Sequence, residues 1–410
     1  MLNRRRPLVL TLLILAGCMA VAQDVQADWP QFLGPNRTGQ LPDAQLSVPA
    51  DAKLPEVWTK QIGIGYSSFA VLDGKLYTMG NEGNADVVYC LKADTGEQVW
   101  TYKYPTPMNS GGYYGPRSTP AVDETGVYTL SHGGLLHCLD PADGSVKWKK
   151  DLSAMGMKPP RWGFSGSALL ADEVILLDMG PVIALKKADG EVAWKSRPKP
   201  PSYSSPIEMT VGGKNLLATF DGSGLTIVEP GSGREMYSFT WKTPYGVHSC
   251  TPIAVGDDKV FISSGYRRGG ALLDLSGSGA KEIWTSRDLG AQCNNPVLID
   301  GYLYGFDGNV GGRGTLLCMR VSDGKVMWEK KDLGVGSLIA AGKTLLVLGE
   351  HGKLVVAKAD PSGFEPIASR EILGGDYCWT PPVLVGNKLY ARNYIKARKI
   401  SELVCIDLSK

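Results

Sequence analysis

A glycine-tipped turn followed four residues later by an aromatic side chain recurs along this chain. In clear copies, Gly96 precedes Trp100 and Gly144 precedes Trp148. The positions that end successive copies are Trp58, Trp100, Trp148, Trp194, Tyr237, Trp284, Trp328 and Ile367. They are separated by 42, 48, 46, 43, 47, 44 and 39 residues. A period of about 40–50 residues, with short strands between turn signals, is typical of a β-propeller.

Each repeat unit contains four short β-rich segments separated by turn signals. In the second unit these segments are 119–122, 126–130, 135–139 and 146–148. The first segments of all the units begin near Ser68, Thr119, Gly166, Ser205, Thr251, Asn295, Ser337 and Pro381. This spacing predicts eight blades of four strands each, with seven blades as the alternative.

The two ends of the repeat region are incomplete in complementary ways. The last unit supplies three strands, of which the third covers 402–407, and 56–59 reads as a fourth strand without a unit of its own. Pairing these two segments closes the ring without leaving an open sheet edge. We therefore predict an all-β fold over 54–410. It is an eight-bladed propeller of four-stranded antiparallel blades, closed in its last blade by the N-terminal strand.

The aromatic residues of the repeat are predicted to be structural, because their spacing follows the repeat itself. An indole packed between two blades buries about 150–250 Å². At about 25 cal/mol per Å², that burial contributes roughly 4–6 kcal/mol before opposing costs. The predicted docking residues are Trp58, Trp100, Trp148, Trp194, Tyr237, Trp284 and Trp328.

The N-terminus has the pattern of an export signal. A basic stretch, 4–6, precedes an apolar run, 7–15, that is too short to span a bilayer. The run ends in Leu-Ala-Gly-Cys, which resembles a bacterial lipobox. We therefore predict a signal peptide at 1–17, with Leu15–Cys18 as the lipobox and Cys18 as the lipidated first residue of the mature chain.

Ordinary signal-peptide cleavage is the alternative, either at Ala20-Val21-Ala22 or after Ala27. Both interpretations predict an exported, periplasmic protein, and the lipobox adds a lipid anchor to the outer membrane. Residues 18–53 are predicted to form an extended segment that packs across a face of the propeller. No later segment has the length and hydrophobicity of a membrane span.

The charge and cysteine patterns exclude several classes of protein. Basic and acidic residues nearly balance, 43 against 41, and form no basic stripe, so nucleic-acid binding is disfavoured. Equivalent positions in different blades hold Cys90, Cys138, Cys318 and Cys405, which should therefore lie too far apart to pair. The four histidines have no metal-ligand spacing, and we predict no metal site.

The segment 88–100 reads Val-Tyr-Cys-Leu-Lys-Ala-Asp-Thr-Gly-Glu-Gln-Val-Trp. It resembles the pyrroloquinoline quinone (PQQ)-type propeller repeat, Val-Tyr-Ala-Leu-Asp-Ala-x-Thr-Gly-x-x-x-Trp, and this resemblance extends over about 54–410. Quinoprotein dehydrogenases and non-enzymatic BamB-like lipoproteins of the outer-membrane assembly machinery share such repeats. The segments 29–32 and 378–382 also resemble exported propellers described as PQQ-binding-like.

The resemblance to quinoproteins implies PQQ, Ca²⁺ held by Glu, Asn and Asp, an Asp base and a disulfide between adjacent cysteines. This chain has no adjacent cysteine pair and is shorter than those enzymes. We therefore predict no catalytic residues and no cofactor. The alternative is a PQQ-dependent dehydrogenase that acts on an alcohol or a sugar and uses PQQ and calcium.

The loops that join blades, and those that join the second and third strands within a blade, should open on one face of the propeller. They are rich in aromatic and arginine residues, as are interaction hot spots and ligand mouths. We predict a scaffold that binds a protein partner or a small ligand on this face, as a monomer or as a subunit of an envelope complex. The candidate face residues are Tyr114, Arg117, Arg161, Trp162, Tyr245, His248, Arg268, Asn294, Asp307, Arg313, Trp379 and Arg392.

Overall fold

The structure is a computed structural model that describes residues 28–107 and 112–410. The predicted signal peptide, its lipobox and Cys18 lie outside the described residues. No helix in the described part of the chain has the length and hydrophobicity needed to cross a bilayer.

Short strands make up nearly all of the regular structure. Two precede the repeats, β1 (Gln40–Leu41) and β2 (Glu56–Gly63). The strands of blades 1 to 4, four in each, are β3 (Ala70–Leu72), β4 (Lys75–Asn81), β5 (Ala85–Lys92), β6 (Gln98–Pro105), β7 (Ala121–Asp123), β8 (Gly126–Leu130), β9 (Leu135–Leu139), β10 (Val146–Asp151), β11 (Leu169–Leu170), β12 (Val174–Asp178), β13 (Val182–Lys186), β14 (Val192–Lys195), β15 (Ile207–Val211), β16 (Lys214–Asp221), β17 (Gly224–Val228) and β18 (Glu235–Thr240).

The second half of the ring repeats the pattern after a single 3₁₀ turn at Pro244–Gly246. The strands of blades 5 to 8 are β19 (Ile253–Ala254), β20 (Lys259–Ser264), β21 (Gly269–Asp274), β22 (Lys281–Ser286), β23 (Val297–Ile299), β24 (Tyr302–Asp307), β25 (Thr315–Arg320), β26 (Lys325–Lys330), β27 (Ser337–Ala341), β28 (Thr344–Leu348), β29 (Lys353–Lys358), β30 (Pro366–Glu371), β31 (Val383–Val385), β32 (Lys388–Arg392) and β33 (Ile400–Asp407).

The strands form eight antiparallel blades, and the last blade contains both ends of the repeat region. Its strand order is β2-β33-β32-β31, and Trp58 lies opposite Cys405. The predicted eight-bladed propeller and its closure by the N-terminal strand are therefore confirmed. In blade 7, β1 adds a fifth strand, parallel to β27.

The tryptophans pack between blades, as the repeat predicts. Trp58 of blade 8 donates a hydrogen bond from Nε1 to the carbonyl oxygen of Ala93 in blade 1, at 2.9 Å, and lies against Gly96. Equivalent indole-to-carbonyl bonds, each reaching the following blade, are Trp100–Pro141, Trp148–Lys187, Trp284–Val321 and Trp328–Asp360. Trp194 packs on Gly233, and the half-buried Tyr237 packs against the core shared by blades 4 and 5.

A second set of contacts between blades surrounds the central channel, where the first strands of neighbouring blades approach one another. The amide of Ser68 donates to the Thr119 hydroxyl, that of Thr119 to the Ser167 hydroxyl, and that of Ser167 to the Ser205 hydroxyl, at 2.8–3.1 Å. The Ser68 hydroxyl also donates to the carbonyl oxygen of Pro381 in blade 8. These bonds join the starts of neighbouring inner strands around the channel.

The segment before the propeller lies along the inner strands of the channel. The main chain of Trp29 pairs with Val71 of blade 1, and the amide of Val122 in blade 2 donates to the carbonyl oxygen of Pro30. Farther along, β1 adds to blade 7. The segment was expected to cross a face of the propeller. It enters the channel instead, because the inner strands leave main-chain groups free to pair with it.

The buried side chain of Arg37 attaches this N-terminal segment to blade 3. Its guanidinium is buried and donates to the carbonyl oxygens of Ala168 at 2.6 Å and Ser167 at 3.1 Å, and to the Gln31 side chain at 3.2 Å. Burial lowers the pKa of Arg37 to about 9. The contacts join the segment to the residues just before the first strand of blade 3.

The seven cysteines of the described residues are free, as expected for equivalent positions in separate blades. Cys90, Cys138, Cys318 and Cys405 are fully buried, and each lies opposite a tyrosine of the neighbouring strand. They serve as small core residues. Cys293 is the exposed thiol among the described cysteines.

Candidate functional site

A cavity of about 320 Å³, which we call the cup, opens at the centre of one face of the propeller. Loops that join blades and loops that join second and third strands line it together, so the predicted grouping of these two loop sets holds. Its aromatic walls are Tyr66, Tyr113, Trp162, Tyr203, Tyr266 and Trp379. Phe32, from the segment that enters the channel, also lines the cup.

Neighbouring rings hold one wall of the cup rigidly. Trp379 stacks on Tyr377 with ring centroids 4.0 Å apart, and on Tyr66 at 5.8 Å. Tyr66 in turn stacks on Tyr394 at 4.5 Å. The Trp379 indole donates from Nε1 to Oε1 of the buried Glu350, at 2.8 Å. These stacked rings and the bond to Glu350 hold Trp379 in place where it lines the cup.

Arg117 is the cationic side chain of the cup. Its Nη2 donates to the carbonyl oxygen of Tyr113 at 2.7 Å, and its Nη1 lies 3.5 Å from the carbonyl oxygen of Gly115. Burial lowers the pKa of Arg117, although the nearby phenol groups of Tyr66 and Tyr203 act in the opposite direction. No carboxylate within the described residues forms a salt bridge with it.

The polar residues of the cup are neutral apart from Arg117. They include Gln292, Asn309, the Ser249 hydroxyl and the Cys293 thiol. Although Cys293 is exposed at the surface of the cup, desolvation by the surrounding walls raises the pKa of its thiol to about 11, so the thiol is protonated at neutral pH. The cup therefore offers hydrogen bonds, aromatic faces and one positive charge.

This set of donors does not fit a calcium-bound quinone. Ca²⁺ takes six to eight oxygen ligands and favours carboxylates. The described residues that line the cup include no Asp or Glu. Among the residues the structure describes, no group of three or more His, Cys, Asp and Glu side chains is arranged to hold a metal ion. The cup residues thus provide neither the ligands nor the carboxylate base that the resemblance to quinoprotein dehydrogenases implies.

Aromatic and arginine side chains form a rim outside the cup. The Arg161 guanidinium lies 5.3 Å from the ring centroid of Trp162 and 5.7 Å from that of Tyr245. Tyr245 is 73% exposed and has a φ of 66°, a conformation that non-glycine residues rarely adopt. Arg268 lies 3.3 Å above the fully buried Trp241. The rim thus presents to solvent guanidinium groups that are held over aromatic rings.

The candidate face residues fall into three groups in the structure. Arg117, Trp162 and Trp379 line the cup. The rim and its surroundings hold Arg161, Tyr245 and Arg268, together with the exposed Arg313 and the half-buried Tyr114, whose amide donates to the Tyr394 hydroxyl. The remaining four, which are described next, are His248, Asn294, Asp307 and Arg392.

Arg392 lies inside the propeller, not on the loop face where the sequence placed it. It is fully buried and donates to the carbonyl oxygens of Ser67 and Met79, at 2.7 and 2.9 Å, and to the Ser401 hydroxyl at 2.8 Å. These bonds tie blade 8 to blade 1. A guanidinium with this many internal acceptors stabilises the ring and is not available to a partner.

His248 and Asp307 also support loops. His248 is fully buried, stacks on Phe220 at 4.3 Å and bonds to the main chain of Asp221, and burial lowers its pKa to about 4. Asn294 is buried. The Asp307 carboxylate accepts the Gly290 amide at 2.7 Å. Loop position alone did not reveal that these side chains turn inward.

Several cup residues were absent from the sequence-based candidates. Tyr66, Tyr203 and Gln292 lie in loops between blades, and Tyr266 and Asn309 lie within blade loops that the sequence analysis did consider. Tyr66 and Tyr203 lie four residues, and Gln292 five residues, before the start of a first strand, and Tyr266 and Asn309 each follow a glycine. Because these positions recur at the same places in successive repeats, they could have been recognised in the sequence as residues of the loop face.

Comparison with known proteins agrees with the repeat. A family model described as outer membrane protein assembly factor BamB matches residues 84–330. The outer membrane protein assembly factor BamB of Burkholderia pseudomallei is 25% identical over 358 residues, which cover 82% of this chain and 84% of that protein.

Solved structures share the fold. BamB from Moraxella catarrhalis superposes with a TM-score of 0.62 at 15% identity, over 86% of this chain and 99% of that chain. A europium-containing methanol dehydrogenase superposes with a TM-score of 0.68 at 12% identity, over 93% and 98%. The match of the family model to more than half of the sequence decides between these resemblances: the chain belongs to the family of the outer membrane protein assembly factor BamB.

Proposed function

We propose that this chain is an exported, non-catalytic scaffold that binds a protein partner in the cell envelope through its loop face. The rim around the cup carries this proposal, because Tyr245 is exposed in a strained conformation beside Arg161. Tyr, Trp and Arg dominate the binding energy of protein interfaces. Backbone strain in an exposed aromatic residue is often retained for function.

The family supports an envelope role. Its relatives are named outer membrane protein assembly factors, and we extend to this chain a role as a subunit of an envelope assembly complex. We further propose that it is periplasmic and anchored to the outer membrane through a lipid on Cys18. Labelling cells with a radioactive fatty acid tests the anchor, since Cys18→Ala should remove the label and release the protein from membranes.

Site-specific photo-crosslinking in the native envelope tests the partner. A photoreactive residue at Tyr245 should yield a discrete crosslinked protein. The same residue at Lys214, an exposed position at the opposite end of blade 4, is the control and should not. Arg161→Ala should reduce the yield at Tyr245. Equal crosslinking at both positions, or none at Tyr245, would reject the loop face as the binding surface.

A non-catalytic role also makes a prediction about quinone chemistry. Purified protein mixed with PQQ and Ca²⁺ should not reduce an artificial dye in the presence of alcohols or sugars, because the cup residues offer no carboxylate ligands. Turnover above that of free PQQ, abolished by Trp379→Ala, would instead establish the dehydrogenase alternative.

A further inference from the structure

Cationic side chains that are scattered along the sequence converge on one sector of the loop face. The connecting loops of blades 3 to 6 hold nine Lys or Arg residues and one carboxylate, Asp288. Two further carboxylates, Asp151 and Asp307, end neighbouring strands and accept main-chain amides from these loops. These loops, which we call the cationic crescent, are 152–168, 196–206, 241–252, 265–268, 287–296 and 308–314. The chain as a whole is nearly neutral, with a net charge of +2. The fold therefore concentrates an excess of positive charge in the crescent.

The cations of the crescent are largely without internal partners. Among the described residues of these loops, Lys199 forms a salt bridge, to Glu235 at 2.9 Å, and the other cations form none. Arg161 and Arg268 instead lie over aromatic rings. The guanidinium groups of Arg161 and Arg268 thus add positive charge to the rim, whereas Lys199 is paired with Glu235 of the outer strand β18.

Arg117 continues the positive field to the inside of the cup. The groups around it are the phenols of Tyr66 and Tyr203 and the thiol of Cys293, which are neutral at pH 7. One carboxylate that interacts with it electrostatically, Asp86, is buried in blade 1 and is hydrogen-bonded to Asn81. A desolvated guanidinium without a paired carboxylate favours an anion supplied from outside.

The shape of the site favours a protein segment as the source of that anion. The cup is recessed and holds about 320 Å³, enough for a side chain or a chain end but too narrow for a nucleic-acid duplex. Its aromatic walls can pack the methylene stem of a side chain. The crescent outside runs across several blades, which suits an extended chain.

From these observations we propose that the partner of the loop face presents an extended acidic segment. The segment lies along the cationic crescent and inserts one carboxylate side chain beside Arg117 in the cup. The inference rests on the proposed function and adds the chemistry of the partner. The group that enters the cup is a Glu or Asp side chain, and no metal ion takes part in binding it.

Binding of a fluorescently labelled oligoglutamate peptide to the full chain tests the inference. Fluorescence anisotropy should show saturable binding that weakens steeply as salt rises from about 0.05 to 0.5 M. The emission of the cup tryptophans, Trp162 and Trp379, should change on binding and report insertion. An oligoglutamine peptide of equal length should not bind. EDTA should have no effect, because no metal takes part.

Single substitutions separate the cup from the crescent. Arg117→Gln should raise Kd about tenfold or more and abolish the change in tryptophan emission, because a charge-assisted pair is lost. Arg117→Lys keeps the charge and should retain most of the affinity, which distinguishes loss of charge from misfolding. Arg268→Gln should raise Kd about threefold through the general field. Lys214→Gln, at the opposite end of blade 4, is the matched control and should leave Kd unchanged.

Several results would overturn the inference. These are unchanged affinity in a folded Arg117→Gln protein, equal binding of oligoglutamine, or tighter binding of phosphatidylglycerol vesicles or oligothymidine than of oligoglutamate. The crosslinking experiment at Tyr245 reports on the proposed function separately. A crosslinked partner without oligoglutamate binding rejects only the acidic segment, whereas peptide binding without any crosslinked partner rejects the proposed function.

Discussion

At the scale of single residues, the seams between blades depend on glycines as much as on tryptophans. The indole of one blade occupies the space that a side chain at the next blade's turn glycine would need. At Gly96, an added Cβ would lie 2.7 Å from Cδ2 of Trp58, and similar contacts occur at Gly144, Gly190, Gly233 and Gly324. The turn glycine is therefore needed for two reasons: the left-handed backbone of the turn and the space for the indole of the preceding blade.

Two glycines of blade 1 allow these reasons to be separated. Gly96 and Gly74 have nearly equal φ values, 69° and 71°, but nothing lies within 4 Å of a Cβ at Gly74. Gly74→Ala should cost about 1 kcal/mol for the left-handed backbone alone. Gly96→Ala should cost about 2–4 kcal/mol, because it also displaces the Trp58 indole. Urea denaturation of both variants measures the difference, and equal midpoints would contradict the seam argument.

A buried carboxyl group predicts how stability varies with pH. Burial, and next the charge of Asp221, raises the pKa of Asp178 to about 8, whereas the unfolded chain releases this proton near pH 4. The native state therefore binds more protons between these values, and its stability falls as pH rises from about 4 to 8. Asp178→Asn should remove this loss. Its thermal midpoint should exceed that of the wild type at pH 9 and approach it at pH 4, and parallel pH curves would refute the assignment.

At the scale of elements, β2 is the strand that closes the ring. It contributes Trp58, which is 7% exposed, while the adjacent Val57 is 41% exposed on the outer edge. The same element thus offers a buried and an exposed position side by side.

Trp58→Ala should destabilise the propeller by about 3–5 kcal/mol, because it leaves a cavity between blades 8 and 1 and removes the bond to Ala93. Val57→Ala should change stability by less than about 1 kcal/mol. Denaturant midpoints of the two variants provide the measurement. A Trp58→Ala protein as stable as the Val57→Ala protein would mean that the seam is not closed by the indole.

The strands themselves were predictable, but the starts of inner strands were less so. The sequence placed the first strand of blade 3 near Gly166, and the structure begins it at Leu169. The intervening carbonyl oxygens, of Ser167 and Ala168, accept hydrogen bonds from Arg37. A partner 130 residues away in the chain has no signature in the local pattern of turns and apolar residues.

At the scale of the whole molecule, closure removes the sheet edges that would otherwise promote aggregation. Two truncated proteins test this role. Residues 54–410 retain β2, and residues 66–410 lack it, while both lack the segment that enters the channel. The shorter protein should unfold at lower denaturant and elute as larger species in size-exclusion chromatography, because β33 becomes an edge. Identical elution and stability would show that the ring does not need its closing strand.

The loop face also belongs to this scale, because no single blade contains it. The sequence correctly predicted which loops share a face, and three of its candidates, Arg117, Trp162 and Trp379, line the cup. It found no basic stripe, because the cations of the crescent are spread over about 160 residues of sequence and meet only when the blades close into a ring. It also could not show that Arg392 points inward to the carbonyl groups of blade 1.

The order of the amino acids was enough to predict the periodic features: the eight blades, the indoles that join them, and the strand that completes the last blade. These follow from local turn chemistry and spacing, which repeat every 40–50 residues and need no knowledge of distant partners. Only the folded ring shows which loop side chains turn inward, how the N-terminal segment enters the channel, and where the aromatic cup and its cationic crescent lie. Those features depend on hydrogen bonds, burial and charge between blades far apart in sequence, and such interactions exist only after the ring has closed.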